Sequence, residues 1–168
     1  MSEHWADILD GRDRSWLAEV LGGELRYPDL VISPDGEPYL YRWHVAPRSK
    51  RGNFYVHLQV ASDPERPLHD HPWDNTSVII SGGYDETINF APDYSDVQTV
   101  RKLREGDVVH RKGCEAHRLI LACAYTLTMF STGPAYRDWG FWYHDGWRHH
   151  KDVTAKDGNV SIMTVKDT

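Results

Sequence analysis

"RPLHDHPWDNTSVIISGGYDE", residues 66–86, decides how the chain is read. It sets His69 and His71 one residue apart, follows them with Pro72-Trp73, and ends an apolar run at Gly82-Gly83. In an extended chain successive side chains point to opposite faces, so both imidazoles aim at one spot while Asp70 points away. A strand presents two ligands to one metal ion in this way. A third ligand has to come from elsewhere, because two imidazoles seldom complete a protein metal site.

Downstream, "REGDVVHRKGCEAHRLIL", residues 104–121, supplies the candidate. A strand over 107–111 enters a tight turn over 112–116, and His117 opens the next strand with Leu119 and Leu121 on its own face. That face points inward. His110, on the preceding strand, suits either a supporting position or the surface. His149-His150 reads as a solvated turn, since neighbours on a strand face opposite ways.

The surrounding pattern is that of an all-β chain with a helical N-terminal segment over 1–23. Leu9, Trp16, Leu17, Val20 and Leu21 recur at helical intervals, with a break around 10–13 and a stop at Gly22-Gly23. "DLVISPDGEPYLYRWHV" reads as two strands around a Pro-Asp-Gly turn. In "NFYVHLQVA", Phe54, Val56, Leu58 and Val60 form an apolar face, and Tyr55, His57 and Gln59 a polar one. Further strands are predicted at 75–81, 84–90, 97–103, 106–112, 117–122, 125–131 and 139–143, separated by turns such as "APDYSD", "REGD", "KGCE" and "TGP". Many short strands at this spacing suggest a sandwich or small barrel.

At 168 residues the chain reads as a single domain, 1–168, with room for a substantial core. Nineteen basic against twenty-five acidic residues, net −6, argue against a generic nucleic-acid-binding surface. No window has the apolar length of a membrane span, and the charged N-terminus is unlike a signal peptide, which points to a cytoplasmic protein with no membrane partner. Cys114 and Cys123 lack CxxC spacing and read as free thiols in a reducing compartment.

Residues 53–132 resemble the cupin family, whose first motif is G-x5-HxH-x3or4-E-x6-G and whose second is G-x5-PxG-x2-H-x3-N. His69, His71 and Gly82 fall on the first, and Gly106 and His117 on the second, with spacing kept. "LHDHPW…GGY", "GDVVHRK…HRL" and "TGP…WGFW…GW" are similar to a group of small cupin-like proteins of bacteria and bacteriophages. The departures are informative too. Asn75, or Thr76 in the longer spacing, stands where the motif has Glu; Asp63 replaces the leading Gly; Lys112 and Cys114 replace Pro and Gly; Leu121 replaces Asn.

The resemblance implies a double-stranded β-helix, a cupin barrel of two sheets, with a divalent ion held inside by His69, His71 and His117. Asp74, one residue out of register, and Asn75 are candidates for a fourth ligand or for a support to an imidazole. Tyr55, His57 and Gln59 become candidates for the pocket wall. Arg42 and Arg137 are candidates for an anionic substrate, which needs a fixed guanidinium in a dry cleft.

Three neutral ligands leave positions open on the ion, which suits catalysis better than structure. By distant similarity to three-histidine thiol dioxygenases, the expected activity is oxygenase chemistry on a small-molecule substrate with Fe(II); Zn, Mn or Ni are the alternative ions. No catalytic side chain is singled out. The competing readings are a non-catalytic metal or small-molecule binding cupin and a metal-dependent isomerase or hydrolase. A homodimer is compatible with the sequence.

Overall fold

The computed structural model describes residues 5–33, 36–64, 67–89 and 98–153, together with the backbone of a strand at 162–164. The turn residues Pro34 and Asp35 and the turn expected over 91–96 lie outside the described residues.

The N-terminal segment forms turns over 5–8 and then one helix, α1 (Gly11–Val20). Asp10 starts it: its carboxylate accepts the Asp13 backbone N–H at 2.8 Å, satisfying a donor that the first turn leaves free. Gly22 and Gly23, at φ 99° and 110°, end it. The expected break at 10–13 is therefore the helix start itself.

The strands follow as β1 (Leu30–Ile32), β2 (Leu40–His44), β3 (Asn53–Gln59), β4 (Leu68–His69), β5 (Asn75–Ser81), β6 (Gly83–Asn89) and β7 (Thr99–Arg104). Then come β8 (Val108–Arg111), β9 (Ala116–Leu121), β10 (Thr126–Thr132), β11 (Gly140–Tyr143), β12 (Gly146–His149) and β13 (Ile162–Thr164). They build a seven-stranded sheet, β13-β1-β2-β3-β10-β5-β8, and a six-stranded sheet, β12-β11-β4-β9-β6-β7. All pairings among the described residues are antiparallel. Gly82, at φ 78°, turns β5 into β6; a Cβ there would lie 2.3 Å from the Tyr125 carbonyl oxygen.

β12 corrects the solvated turn expected at 149–150. His149 ends that strand opposite Gly140, and only His150 leaves it, into a 3-10 turn over His150–Asp152. The pairing with β11 is a tertiary demand that "GWRHH" does not announce by alternation.

The main apolar core lies outside the barrel. Trp43, Val56, Leu58 and Leu127 project from β2, β3 and β10 and bury completely against Trp5, Ala6, Leu9 and Leu17 of the N-terminal segment. Full burial of a side chain such as Leu17 contributes roughly 1.5–3 kcal/mol. Strand β3 is consequently covered on both faces, since His57 and Gln59 are also buried, on the inner side. Phe54 departs from its apolar neighbours: it stands outside this cluster, 54% exposed. A smaller cluster of Ile79, Tyr84, Leu103 and Val109 joins the two sheets. Among the described residues no helix is long and apolar enough to cross a membrane.

Candidate metal centre

Two strands and one loop bring the three histidines together. His69 ends β4 directly opposite His117 of β9. His71 stands just past β4, where its backbone N–H donates to the Gly113 carbonyl at 2.9 Å. The ring centroids form a near-equilateral triangle with sides of 5.1, 4.9 and 4.9 Å. One ligand nitrogen from each ring lies within 4.8 Å of the others, and Nε2 of His71 is 2.8 Å from Nε2 of His117. Two nitrogens each about 2.1 Å from one ion at a right angle are separated by about 3 Å. The spacing therefore suits neighbouring positions on an octahedral ion.

Alternation also accounts for Asp70. Its carboxylate turns away from the two imidazoles, is fully buried, and accepts from Gly140 N–H (2.7 Å), Trp142 Nε1 (3.1 Å) and Trp147 Nε1 (3.0 Å) while pairing with Arg137 Nη2 (2.9 Å). Thus the aromatic stretch near the C-terminus pins the strand that carries His69.

The loop bearing His71 is braced from behind by residues that the sequence suggested for other tasks. Arg137 Nη1 donates to the carbonyls of His71 (3.0 Å) and Gly113 (3.1 Å) rather than lining the cavity. Asp74 accepts from Lys112 Nζ (2.8 Å), Gly113 N–H (2.8 Å) and Tyr136 Oη (2.7 Å), outside the histidine group. The Lys112, Tyr136 and Gly113 donors hold its carboxyl down to about 2. Asn75 is buried, with Oδ1 3.3 Å from Arg111 Nη1, and likewise stands outside the histidine group. His110 is exposed and bonds Thr76 Oγ1 at 2.8 Å.

Two residues that the sequence reading passed over complete the centre. Glu86 of β6, wholly buried, takes His117 Nδ1 at 2.5 Å and Arg111 Nε at 2.6 Å on one oxygen, and Arg101 Nε at 2.6 Å on the other. Burial alone would raise its carboxyl, but the His117 hydrogen bond and the Arg111 charge outweigh it and hold the group below the ordinary value. A carboxylate at Nδ1 keeps the proton there and leaves Nε2 facing the centre as a lone-pair donor. Arg111 also reaches Ser77 Oγ at 3.0 Å. The available signal was an acidic residue on the same face of β6 as Tyr84 and Ile88, both buried.

His71 is kept neutral chiefly by burial, then by the charges of His117, His69, Arg111 and Arg42, so its pKa lies well below 6.5. Trp73 stacks on its ring at 4.7 Å and 9°. The donor set is all imidazole, one ring neutral by burial and one oriented by a carboxylate. Such a set fits a divalent transition metal ion.

A cavity of about 160 Å³ opens in front of the histidines, between the two sheets. The seven-stranded sheet contributes Arg42, His57, Gln59, Thr128 and Phe130 to its wall. His57 and Gln59 thus stand on the cavity side, as the alternation of β3 requires. Tyr55 is one layer back, stacked on His57 at 5.7 Å with the Arg42 guanidinium 4.6 Å above its ring. Tyr39, also missed, lines the wall and bonds Asp63, whose other oxygen accepts Leu119 N–H at 2.7 Å.

No protein-family model and no curated protein matches the chain. Solved structures do. Fe(II) HppE in complex with substrate superposes with a TM-score of 0.50 at 11% identity, covering 66% of this chain and 60% of that one. A conserved protein with a double-stranded β-helix domain from Klebsiella pneumoniae gives 0.45 at 19%, covering 65% and 87%. KdgF from Halomonas sp. gives 0.44 at 17%, covering 61% and 86%. Two facing antiparallel sheets with a three-histidine group between them make this chain a double-stranded β-helix, the cupin fold.

Proposed function

We propose that the chain is a metal-dependent enzyme that holds Fe(II) on His69, His71 and His117 and carries out oxygenase-type chemistry on a small molecule. The observation that carries this reading is the all-imidazole group opening onto a cavity between the two sheets. When bound, such an ion supplies a redox-active Lewis acid with positions left open for reactants. The chain's own residues prepare that position. Glu86 holds the proton on Nδ1 of His117, and Trp73 and Phe130, in edge contact at 5.6 Å, close one wall against water. Free exposed thiols at Cys114 and Cys123 suit a reducing compartment, and we assign the protein to the cytoplasm.

The test is metal analysis of the purified protein, followed by oxygen-uptake measurements on the Fe(II)-loaded form with a panel of small substrates. About one metal ion per chain, lost in His69→Ala, His71→Ala and His117→Ala variants that remain folded, is the expected result. Oxygen uptake should require the same three residues. Metal content that is indifferent to all three substitutions would overturn the assignment.

A further inference from the structure

Arg42 is a cation without an anion. It extends from β2 into the cavity wall on the seven-stranded sheet, whereas His69 and His117 belong to the opposing sheet. Its Nε donates to His57 Nε2 at 2.8 Å, and its flat face rests on Tyr55. Neither contact supplies negative charge. His57 is held neutral, first by burial and then by Arg42 and His44, with a pKa well below 6.5. Among the described residues no carboxylate pairs with Arg42; burial and the Arg48 charge pull its pKa down, and only Tyr55 opposes them.

The buried guanidinium of Arg111 shows the contrast. Arg111 has Glu86 at 2.6 Å and further partners in Asn75 and Ser77. The nearby carboxylates are spent elsewhere, Glu86 on His117 and two arginines, Asp63 on Tyr39 and the Leu119 amide. The cavity wall itself contains no acidic side chain among the described residues. A guanidinium partly withdrawn from water and left without a counter-ion attracts an anion that reaches it.

We infer that Arg42 is the receptor for a carboxylate on the substrate. With Nε committed to His57 and one face covered by Tyr55, the terminal Nη1/Nη2 edge is what remains. That edge matches the two oxygens of a planar carboxylate. Trp73, Phe130, Leu40 and Leu119 line the space between the two ends, so the substrate is a short, largely apolar carboxylic acid whose far end reaches the histidine group. A cavity of about 160 Å³ suits a short chain better than a long one. The inference rests on the cavity being the substrate site of the proposed enzyme, but the receptor itself needs no metal.

Calorimetric titration separates the two ideas. Butyrate and its neutral isostere butyramide are titrated into metal-free protein and into protein loaded with Fe(II) under anaerobic conditions, in the wild type, Arg42→Met and Arg42→Lys. Butyrate is expected to bind the wild type in both forms, with butyramide weaker by about 10- to 100-fold. Arg42→Met should lose butyrate binding by a similar factor at unchanged metal content. Arg42→Lys, which keeps the charge without the fork, should fall between. Equal binding of acid and amide by the wild type, a comparison that needs no variant to fold, overturns the receptor, and so does butyrate affinity retained in folded Arg42→Met. Failure of the wild type to load metal overturns the metal reading alone, because the metal-free arm still decides the role of Arg42.

Discussion

Glu86 governs the candidate centre without being one of its three histidines, because one buried carboxylate orients His117 and neutralises Arg111 and Arg101 at once. Glu86→Gln keeps the shape and removes the charge. Metal affinity, measured by competition with a chelator, should fall about 10- to 100-fold. Urea unfolding should show a loss of about 3–5 kcal/mol, since the interior then holds unpaired guanidinium charge. Unchanged affinity would mean that His117 is not held through Nδ1. His57 shares the pH behaviour of the metal-free protein with His71, whose pKa is lowered in the same sense. Its folded pKa lies below the unfolded value near 6.5, so the unfolded chain binds the proton first as pH falls. Its contribution is fully present above about pH 6.5 and is lost below it, at up to ~1.4 kcal/mol per pH unit. His57→Gln should reduce the slope of that part of the stability profile, leaving the share of His71, read by urea unfolding at several pH values; an unaltered slope would place the proton elsewhere. The histidine spacing was legible because period-two alternation and a motif gap are local properties of sequence. Glu86 and Arg111 were not, because their roles depend on which strands become neighbours, β6 beside β9 and β8 beside β5. Asp74 and Arg137 have suitable chemistry for the roles expected of them, yet backbone geometry turns both to the rear of the His71 loop.

At the level of elements, the strands followed from alternation and turn residues, and most of those expected form within a residue or two. What alternation could not reveal is which segment covers the apolar face of β3. Val56 and Leu58 go outward to α1 and the turns before it, so the N-terminal segment is the lid of the core rather than an appendage. Leu17→Ala tests this: a cavity beneath the helix should cost about 2–5 kcal/mol in urea unfolding. Metal stoichiometry should not change, because the site lies on the other side of the sheet. Gly113→Ala should show the reverse pattern. A Cβ there would come within 2.9 Å of the His71 carbonyl oxygen and of Tyr136 Oη, so the braced loop has to move. Metal affinity should drop with a smaller loss of stability. If both variants affected stability and affinity in the same proportion, the separation of core and site into distinct layers would be wrong.

The whole molecule carries a net charge of −6, yet the cavity wall presents Arg42 and four imidazoles and, among the described residues, no acidic side chain, with Glu86 behind it neutralising Arg111. A negative surface with the unpaired Arg42 guanidinium in the cavity wall favours selection of small anions within the cleft rather than by long-range attraction. The same layout predicts how the protein behaves with and without an ion on the three histidines. The two apolar clusters are assembled from Trp43, Leu58, Leu17 and from Ile79, Tyr84, Val109, none of which belongs to the three-histidine group, so folding is expected not to require a metal. Chelator-treated protein should keep its far-ultraviolet dichroism and melt cooperatively. An ion that binds only the folded state adds about 2.7 kcal/mol at a hundred times its dissociation constant, or about 5–10 °C in Tm for a domain of this size. His117→Ala should melt near the chelated wild type and show no such rise on adding metal. A chelated chain that has lost its cooperative transition would mean that the ion holds the two sheets together, and the centre would then be structural rather than catalytic.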